Sequence, residues 1–178
     1  MMRLINVFLV FSLAACSSNP SAVGDAPATA AVVDLPPYMG TWYEMARLPM
    51  PYQEQCVSEV QAHYRLNKDN SVSVENSCRN QTGAISRVEG LATVVDDSGA
   101  KLQVSFLPKF IRWLPVGKAA YWILRIDEDY RHALVGTPER KYLWILSRSP
   151  NMDDDVLQSY IDSAQAQGYD TANLIRNP

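Results

Sequence analysis

The sequence predicts an all-β fold: an eight-stranded antiparallel up-and-down β-barrel with one C-terminal α-helix packed outside. Three observations predict it. Eight short runs of strand character are separated by turn residues, these runs alternate apolar and polar side chains, and only one later segment has helical periodicity. A chain of 178 residues has room for one domain with a sizeable core. Closing the sheet into a barrel would leave no exposed edge.

The eight candidate strands begin soon after Gly40. They cover residues 41–48, 57–66, 71–78, 86–95, 101–107, 119–127, 132–138 and 141–148. Turn signals at residues 67–70, 80–83 and 96–99 separate several of them. Links of this length join neighbouring antiparallel strands, so the pattern favours a meander.

Alternation assigns one face of each strand to the interior. In the second strand Val60, Ala62 and Tyr64 share a face, while Glu59 and Gln61 lie on the other. A membrane-spanning barrel would turn its apolar face outward and use strands of roughly 9–11 residues. Several of the candidate strands are shorter, so we expect the apolar face to point into the barrel.

The helical segment follows the last strand. Acidic residues at 153–155 suit the positive start of a helix, and Gly168 is a natural stop. The residues that share its apolar face are Val156, Leu157, Tyr160, Ile161 and Ala164. This spacing predicts an amphipathic helix that packs on the barrel.

Residues 1–15 have the character of a secretory signal, with Arg3 before a short apolar run. The ending Leu13-Ala14-Ala15-Cys16 resembles the lipobox of bacterial lipoproteins. That resemblance implies a lipidated Cys16, with acyl chains such as palmitate, and, because Ser17 is not acidic, an outer-membrane location on the periplasmic side. The alternative is an ordinary signal with an incidental cysteine. Residues 16–34 are small and nearly uncharged, which predicts a flexible tether.

An exported protein meets oxidising conditions, which bears on the two remaining cysteines. Cys56 begins one candidate strand and Cys78 ends the next, so they come together across a hairpin and a disulfide is expected. A catalytic thiol is the alternative, but neither His63 nor His132 is placed to activate one. We expect no cofactor and no metal. The net charge of −3 and the pI near 5.3 argue against a nucleic-acid partner.

The predicted barrel interior mixes small residues with aromatic ones, such as Ala62 and Ala92 with Tyr64 and Trp144. A barrel of eight strands is either filled by its own side chains or wide enough for one small ligand. Composition alone leaves both possibilities open.

Three segments resemble the signature motifs of the lipocalin family. Gly40-Thr41-Trp42 resembles the Gly-x-Trp start of the first strand, residues 127–134 resemble the second conserved segment, and residues 142–148 resemble the third, which ends in Arg148. The resemblance covers residues 35–178, predicted here as the lipocalin domain, and is strongest to the bacterial lipocalins. It implies a calyx closed at the Trp42 end that binds a fatty acid, a lysophospholipid or a similar lipid. Gly40, Trp42 and Arg148 are then structural, with Arg148 laid across the indole of Trp42.

The predicted ligand cavity combines the inward positions of all strands. Its residues are Glu44, Val60, Ala62, Tyr64, Val74, Asn76, Val88, Ala92, Val104, Phe106, Tyr121, Ile123, Arg125, Tyr142 and Trp144. Because arginine keeps its charge, an inward Arg125 would meet an acidic lipid head group. The alternatives are a pair with Glu44 or a register slip that places Arg125 in solvent.

The loop at residues 107–118 combines cations with large apolar side chains at the predicted open rim. This composition favours contact with a membrane, and a lid or a homodimer contact are the alternatives. No catalytic constellation is visible, so we predict no enzyme activity. The sequence therefore predicts an outer-membrane-anchored protein that holds or transfers a lipid for membrane maintenance. The alternative is a lipocalin-fold enzyme acting on a lipid.

Overall fold

The computed structural model describes residues 25–177. It contains eight barrel strands, two helices, a 3₁₀ turn and a short ninth strand. The strands are β1 (Gly40–Arg47), β2 (Cys56–Leu66), β3 (Val72–Asn80), β4 (Ile85–Val94), β5 (Lys101–Ser105), β6 (Lys118–Ile126), β7 (His132–Gly136), β8 (Leu143–Ser147) and β9 (Ile175–Arg176). The helices are α1 (Leu35–Tyr38) and α2 (Asp154–Ala166), and the 3₁₀ turn is Pro51–Gln53.

Successive strands from β1 to β8 pair antiparallel, and β1 pairs with both β2 and β8, which closes the barrel. The predicted fold class is therefore confirmed. The strand ends differ slightly from the prediction: β5 stops at Ser105, so Phe106 and Leu107 begin the next loop. The two-residue β9 adds to β1 beyond the point where β1 leaves β2, and no sequence pattern predicted it.

The two ends of the barrel follow from the strand order. The loops after β1, β3, β5 and β7 lie at one end, called the open end below. The loops after β2, β4 and β6 lie at the opposite, closed end, and α1 packs there against the inner core.

The apolar residues form two layers. One fills the lower part of the barrel around Trp42, Ile123 and Val135. The other lies between the barrel wall and α2, where Leu157, Tyr160, Ile161 and Ala164 are buried as the helical spacing predicted. The helix thus covers one outer face of the barrel and leaves the interior to the strands.

Besides two register shifts in β2 between Cys56 and Gln61, two β-bulges change which side chains point inward. One lies in β1 between Glu44 and Ala46, where it pairs with β8, and one lies in β6 between Ile123 and Arg125, where it pairs with β7. An extra residue reverses the inward and outward positions that follow it. Both bulges affect an arginine, as described below.

Residues 25–34 are not free in the structure, although the sequence predicted a flexible tether through residue 34. Pro27 and Val33 are buried. The backbone N–H of Ala30 donates to the carbonyl of Ile123 at 2.9 Å, and that of Val33 donates to Ser98 at 2.8 Å. We call this segment the N-terminal strap. Small side chains gave no periodic signal, so only tertiary contacts reveal that it packs on the barrel.

The predicted signal at 1–15, the lipidated Cys16 and the start of the tether lie outside the described residues. Within residues 25–177, neither helix has the length and apolar character needed to cross a bilayer.

Candidate functional site

A cavity of about 740 Å³ occupies the upper part of the barrel. This volume lies within the range of small-molecule sites, and the lining is predominantly apolar. The floor is formed by Leu35, Tyr38 and Met39 at the closed end, while Arg87, Leu107 and Lys118 mark the opening, called the mouth below. The interior is therefore hollow, which composition alone left undecided.

All of the predicted cavity residues except Ile123 and Arg125 line this space. Those that do are Glu44, Val60, Ala62, Tyr64, Val74, Asn76, Val88, Ala92, Val104, Phe106, Tyr121, Tyr142 and Trp144. Ile123 points inward but is fully buried in the core below the cavity. Gly90 makes room for one lining side chain, since a Cβ there would lie 2.8 Å from the ring of Phe106.

Arg125 points away from the cavity, so the prediction that it meets a lipid head group is wrong. The bulge in β6 turns it toward α2, where its Nη1 donates to the carbonyl and Oγ of Ser159, both at 2.9 Å, and to Ser163 Oγ at 2.8 Å. Its guanidinium also lies 4.1 Å from the ring centre of Tyr160. The same bulge places Ile126 in the inner core, whereas uninterrupted alternation from Tyr121 and Ile123 would point it outward. Arg125 therefore fastens the helix to the barrel.

Glu44 lines the cavity, as predicted, but its charged partner is Arg47. The bulge in β1 brings both side chains to one side, with Arg47 Nη1 donating to Glu44 Oε1 at 3.2 Å. Both residues are 5% exposed. Burial raises the pKa of Glu44 above its usual value, although hydrogen bonds from Gln53 and the charge of Arg47 oppose the rise. The cost of burying the ionised carboxylate therefore outweighs the stabilisation that Gln53 and Arg47 give it.

A polar latch closes the barrel wall where β1 and β2 separate near the mouth. It consists of Glu44, Arg47, Gln53, Trp144 and Asn177. Gln53 donates to Glu44 Oε2 at 2.9 Å and accepts from Trp144 Nε1 at 3.1 Å. Asn177 Nδ2 donates to Glu44 Oε1 at 2.7 Å. Side chains thus hold this part of the wall together.

No sequence pattern predicted a role for Arg47, Gln53 or Asn177 at this site. Arg47 would point outward by simple alternation, Gln53 lies in a 3₁₀ turn, and Asn177 follows the unpredicted β9. No periodic pattern marks any of them.

Three tyrosines form a hydrogen-bonded chain in the cavity. The hydroxyl of Tyr121 lies 2.7 Å from that of Tyr38 and 3.0 Å from that of Tyr64. Burial raises all three pKa values, that of Tyr64 to about 12, so the hydroxyls stay neutral. Three hydroxyl protons serve these two hydrogen bonds, which leaves one donor for a ligand or water. Nearby on β3, the buried side-chain oxygen of Asn76 has no protein partner in the described part of the chain.

The closed end is built around Trp42 and Arg148, as the signature motifs implied. The guanidinium carbon of Arg148 lies 3.9 Å from the indole centre of Trp42. Arg148 also donates to the carbonyls of Pro37 at 2.7 Å, Thr41 at 2.8 Å and Tyr130 at 3.2 Å. Gly40 has a φ of +96°, and a Cβ there would come within 3.3 Å of Arg148 Nη1. These residues therefore seal the barrel and leave the ligand space above them.

The predicted disulfide between Cys56 and Cys78 is confirmed, with a Cα–Cα distance of 5.5 Å. It joins the start of β2 to β3 near the mouth. His63 instead hydrogen-bonds Thr41, and His132 Nδ1 lies 2.9 Å from Asp127 Oδ2 in the turn after β6. Among residues 25–177, no group of three His, Cys, Asp or Glu side chains is placed to hold a metal ion.

The rim loop, residues 106–117, presents two aromatic side chains to solvent. Phe110 is 78% exposed and Trp113 is 77% exposed, so neither forms a lid over the cavity. The loop is ordered by its own contacts, with Arg112 Nε donating to the carbonyl of Leu107 at 2.9 Å and Trp113 Nε1 to that of Phe110 at 3.0 Å. Phe106 and Leu107, at its start, line the mouth instead.

Comparison with known proteins agrees with this architecture. A family model described as a lipocalin-like domain matches residues 33–178. The chain belongs to the lipocalin family. Temperature-induced lipocalin-1 of Arabidopsis thaliana is 40% identical over 144 residues, which are 79% of this lipocalin and 76% of the plant protein.

The outer membrane lipoprotein Blc of Citrobacter freundii is 36% identical over 174 residues, 95% of this chain and 91% of its own. The predicted similarity to bacterial lipocalins is therefore confirmed. Among solved structures, insecticyanin of Manduca sexta has a TM-score of 0.67 at 21% identity, covering 89% of this lipocalin and 86% of that chain. That likeness shows the shared fold.

Proposed function

We propose that this lipocalin binds the acyl chain of a fatty acid, a lysophospholipid or a similar amphiphile in its cavity, and that Cys16 anchors it to the outer membrane. The observation that carries the proposal is the hollow interior. A space of about 740 Å³ with an aromatic and aliphatic lining suits an acyl chain, and its lining reaches Arg87 and Lys118 at the open end.

The polarity of the cavity supports an amphiphile over a purely apolar ligand. Lys118 and Arg87 lie at the mouth, where they would face an anionic carboxylate or phosphate that remains near solvent. The floor is apolar apart from the tyrosine hydroxyls, which burial keeps neutral. The tail would therefore enter first and the head group would stay at the mouth.

Similarity to outer membrane lipoprotein Blc of two enterobacterial species and of Vibrio cholerae supports the proposed location. The lipobox-like ending at Cys16 supports anchoring, since two or more acyl chains hold a protein stably on a membrane. We infer a role in holding or moving lipid for maintenance of that membrane.

The rim loop supports exchange of lipid with the bilayer. Its exposed Phe110 and Trp113 lie beside Lys109 and Arg112. The middle of the loop extends away from the mouth, since Lys109, Arg112 and Trp113 line a surface depression together with Asn67 and Asp69 of the turn after β2. Aromatic side chains settle at the membrane interface, and cations favour anionic lipids. The loop thus begins and ends at the mouth and presents an aromatic and basic surface beside it, which supports contact with the bilayer from which lipid would come.

Extraction of the purified protein with organic solvent, followed by mass spectrometry, tests the ligand. The proposal predicts a single-chain or lysolipid species bound in stoichiometric amount. Recovery of lipid no greater than that from a barrel of similar size with a filled core would contradict it.

A transfer assay between vesicles tests the exchange. Replacing Phe110 and Trp113 with serine should slow transfer while leaving lipid affinity unchanged, because neither side chain lines the cavity. Val95→Ser, which removes an exposed apolar side chain at the closed end, is the control and should transfer normally. Equal rates in all three proteins would refute the role of the rim loop.

A further inference from the structure

The N-terminal strap connects the two ends of the barrel. At its start, the carbonyl of Asp25 accepts a hydrogen bond of 2.6 Å from Arg140 Nη2. Arg140 lies in the turn between β7 and β8, at the open end. Near its other end, Val33 is bonded to Ser98, and the backbone N–H of Asp34 donates to the hydroxyl of Tyr130 at 2.9 Å. Both of those partners lie in closed-end loops.

The chain therefore runs down the barrel from the open end before α1 turns it into β1. Burial of Pro27 and Val33 and the hydrogen bond from Ala30 to Ile123 hold the strap along its length. Arg140 is itself fixed, since its Nε donates to the carbonyl of Gln167 at 2.6 Å, just beyond α2. Attachment at three levels makes the strap part of the folded body.

This path decides where an N-terminal anchor leaves the protein. Only residues 17–24 separate Cys16 from Asp25, and eight residues reach at most about 29 Å when fully extended. The 11 residues of β2 span about 35 Å from one end of the barrel toward the other. A free tether ending at Asp34 would instead attach the anchor to the closed end.

We propose that the strap holds the mouth of the cavity against the membrane that carries the anchor, so that the open end of the barrel contacts the bilayer surface. This inference rests on the proposed lipidation of Cys16. The base of the rim loop supports it independently, because the exposed Val116 lies two residues before Lys118, which lines the mouth and complements anionic lipids. Lipid could then move between bilayer and cavity without crossing water.

Fluorescence quenching of the lipidated chain on vesicles tests this orientation. Val116→Cys places a label on the rim loop and Val95→Cys places one at the closed end; both positions are exposed valines. Cys56 and Cys78 are bonded to each other, so the new thiol takes the label. The vesicles contain phosphatidylethanolamine, phosphatidylglycerol and a lipid spin-labelled near its head group. The label at 116 should lose most of its fluorescence and the label at 95 should keep nearly all.

Equal quenching, or stronger quenching at position 95, would overturn the orientation. Flotation of the vesicles separates this result from failure of the anchor. Protein that floats but is quenched at position 95 contradicts the strap alone, whereas protein that does not float contradicts the proposed anchoring as well.

A strap variant sharpens the test. Arg140→Ala removes the bond to Asp25 and should reduce the difference between the two labels, while Lys141→Ala, one residue further on and without a bond to the strap, should preserve it. A spin label at residue 25 shows whether Arg140→Ala has released the start of the strap. If that residue is mobile and the difference in quenching between the labels at 116 and 95 is unchanged, the strap does not set the orientation.

Discussion

The two ends of the barrel are held together in different ways. At the closed end, Arg148 stacks on Trp42 and donates to three backbone carbonyls from separate segments. At the open end, the side-chain latch around Glu44 replaces part of the backbone ladder, and Arg47 Nε is left without a partner in the described part of the chain. Side-chain bonds to the backbone are thus concentrated below the ligand space, and we expect the mouth to change shape more readily than the floor.

The largest effect is expected from Arg148→Met at the closed end. The change removes three charge-assisted hydrogen bonds and a cation–π contact, and we expect a loss of about 3–5 kcal/mol in the free energy of unfolding. Urea denaturation measures it. Arg131→Ala, which breaks an exposed ion pair of 3.3 Å with Asp129, is the control and should cost less than about 1 kcal/mol. Similar losses in the two variants would contradict the concentration of stability at the closed end.

The second largest effect is expected from loss of the disulfide near the mouth. Replacing Cys56 and Cys78 together with alanine should lower the free energy of unfolding by about 3 kcal/mol, because a closed loop of this length restricts the unfolded chain. The closed end should stay intact. The lower global stability should accelerate hydrogen exchange of the amides around Trp42, which exchange by global unfolding, and the amides at the start of β2 and the end of β3 should become faster still through local opening. Equal exchange rates at the two ends in this variant would argue against two separately held ends.

A smaller effect is expected from Gln53→Ala in the latch. The variant loses the bonds to Glu44 and Trp144, worth about 1–2 kcal/mol together. Since the latch borders the mouth, lipid association and dissociation should both accelerate, by up to about tenfold, with a smaller change in affinity. Stopped-flow measurement of tryptophan fluorescence, to which Trp144 contributes from the cavity wall, gives the rates. Gln158→Ala, an exposed glutamine on α2 whose Nε2 donates to Asp162 Oδ1 outside the cavity, is the control and should behave like the wild type.

The smallest effect is a pH dependence in the same latch. The pKa of Glu44 is raised in the folded protein, chiefly by burial, so the folded state holds this proton more tightly than the unfolded chain. The resulting stability is fully present below the unfolded glutamate pKa of about 4.3 and is lost as pH rises through the raised value.

Glu44→Gln carries no titrating group at this position. The free energy of unfolding of the wild type, relative to this variant, should therefore fall as pH rises from about 4 toward neutrality. Urea titrations at matched pH values measure the difference. Parallel pH profiles for the two proteins would show that Glu44 titrates alike in both states.

Sequence reasoning predicted the features that depend on local pattern. The strands, the helix, the disulfide and the Trp42–Arg148 pair follow from alternation, helical spacing and short motifs. The placement of Arg125 failed because a bulge in β6 cancels the alternation on which it rested. The bulge in β1 likewise reverses the position of Arg47, which simple alternation would point outward.

The remaining omissions depend on contacts between distant parts of the chain. The strap packs through Pro27, Val33 and backbone hydrogen bonds, and Asn177 reaches Glu44 only after the C-terminal segment has folded back on β1. Neither leaves a periodic trace in the sequence. Alternation can place a side chain on a regular strand, but it cannot place a bulge or a terminal segment.

The most direct test of the hollow barrel is a binding titration with a cavity-filling variant. Ala62→Phe adds a ring inside the cavity, and Arg65→Phe adds the same ring on the exposed face of the same strand. A fatty acid titrated against the wild type and Arg65→Phe, followed by calorimetry, should saturate at one molecule per chain. Ala62→Phe, shown to be folded by circular dichroism, should bind at least about tenfold more weakly, a loss of about 1.4 kcal/mol. Equal binding in all three proteins would contradict a ligand site inside the barrel.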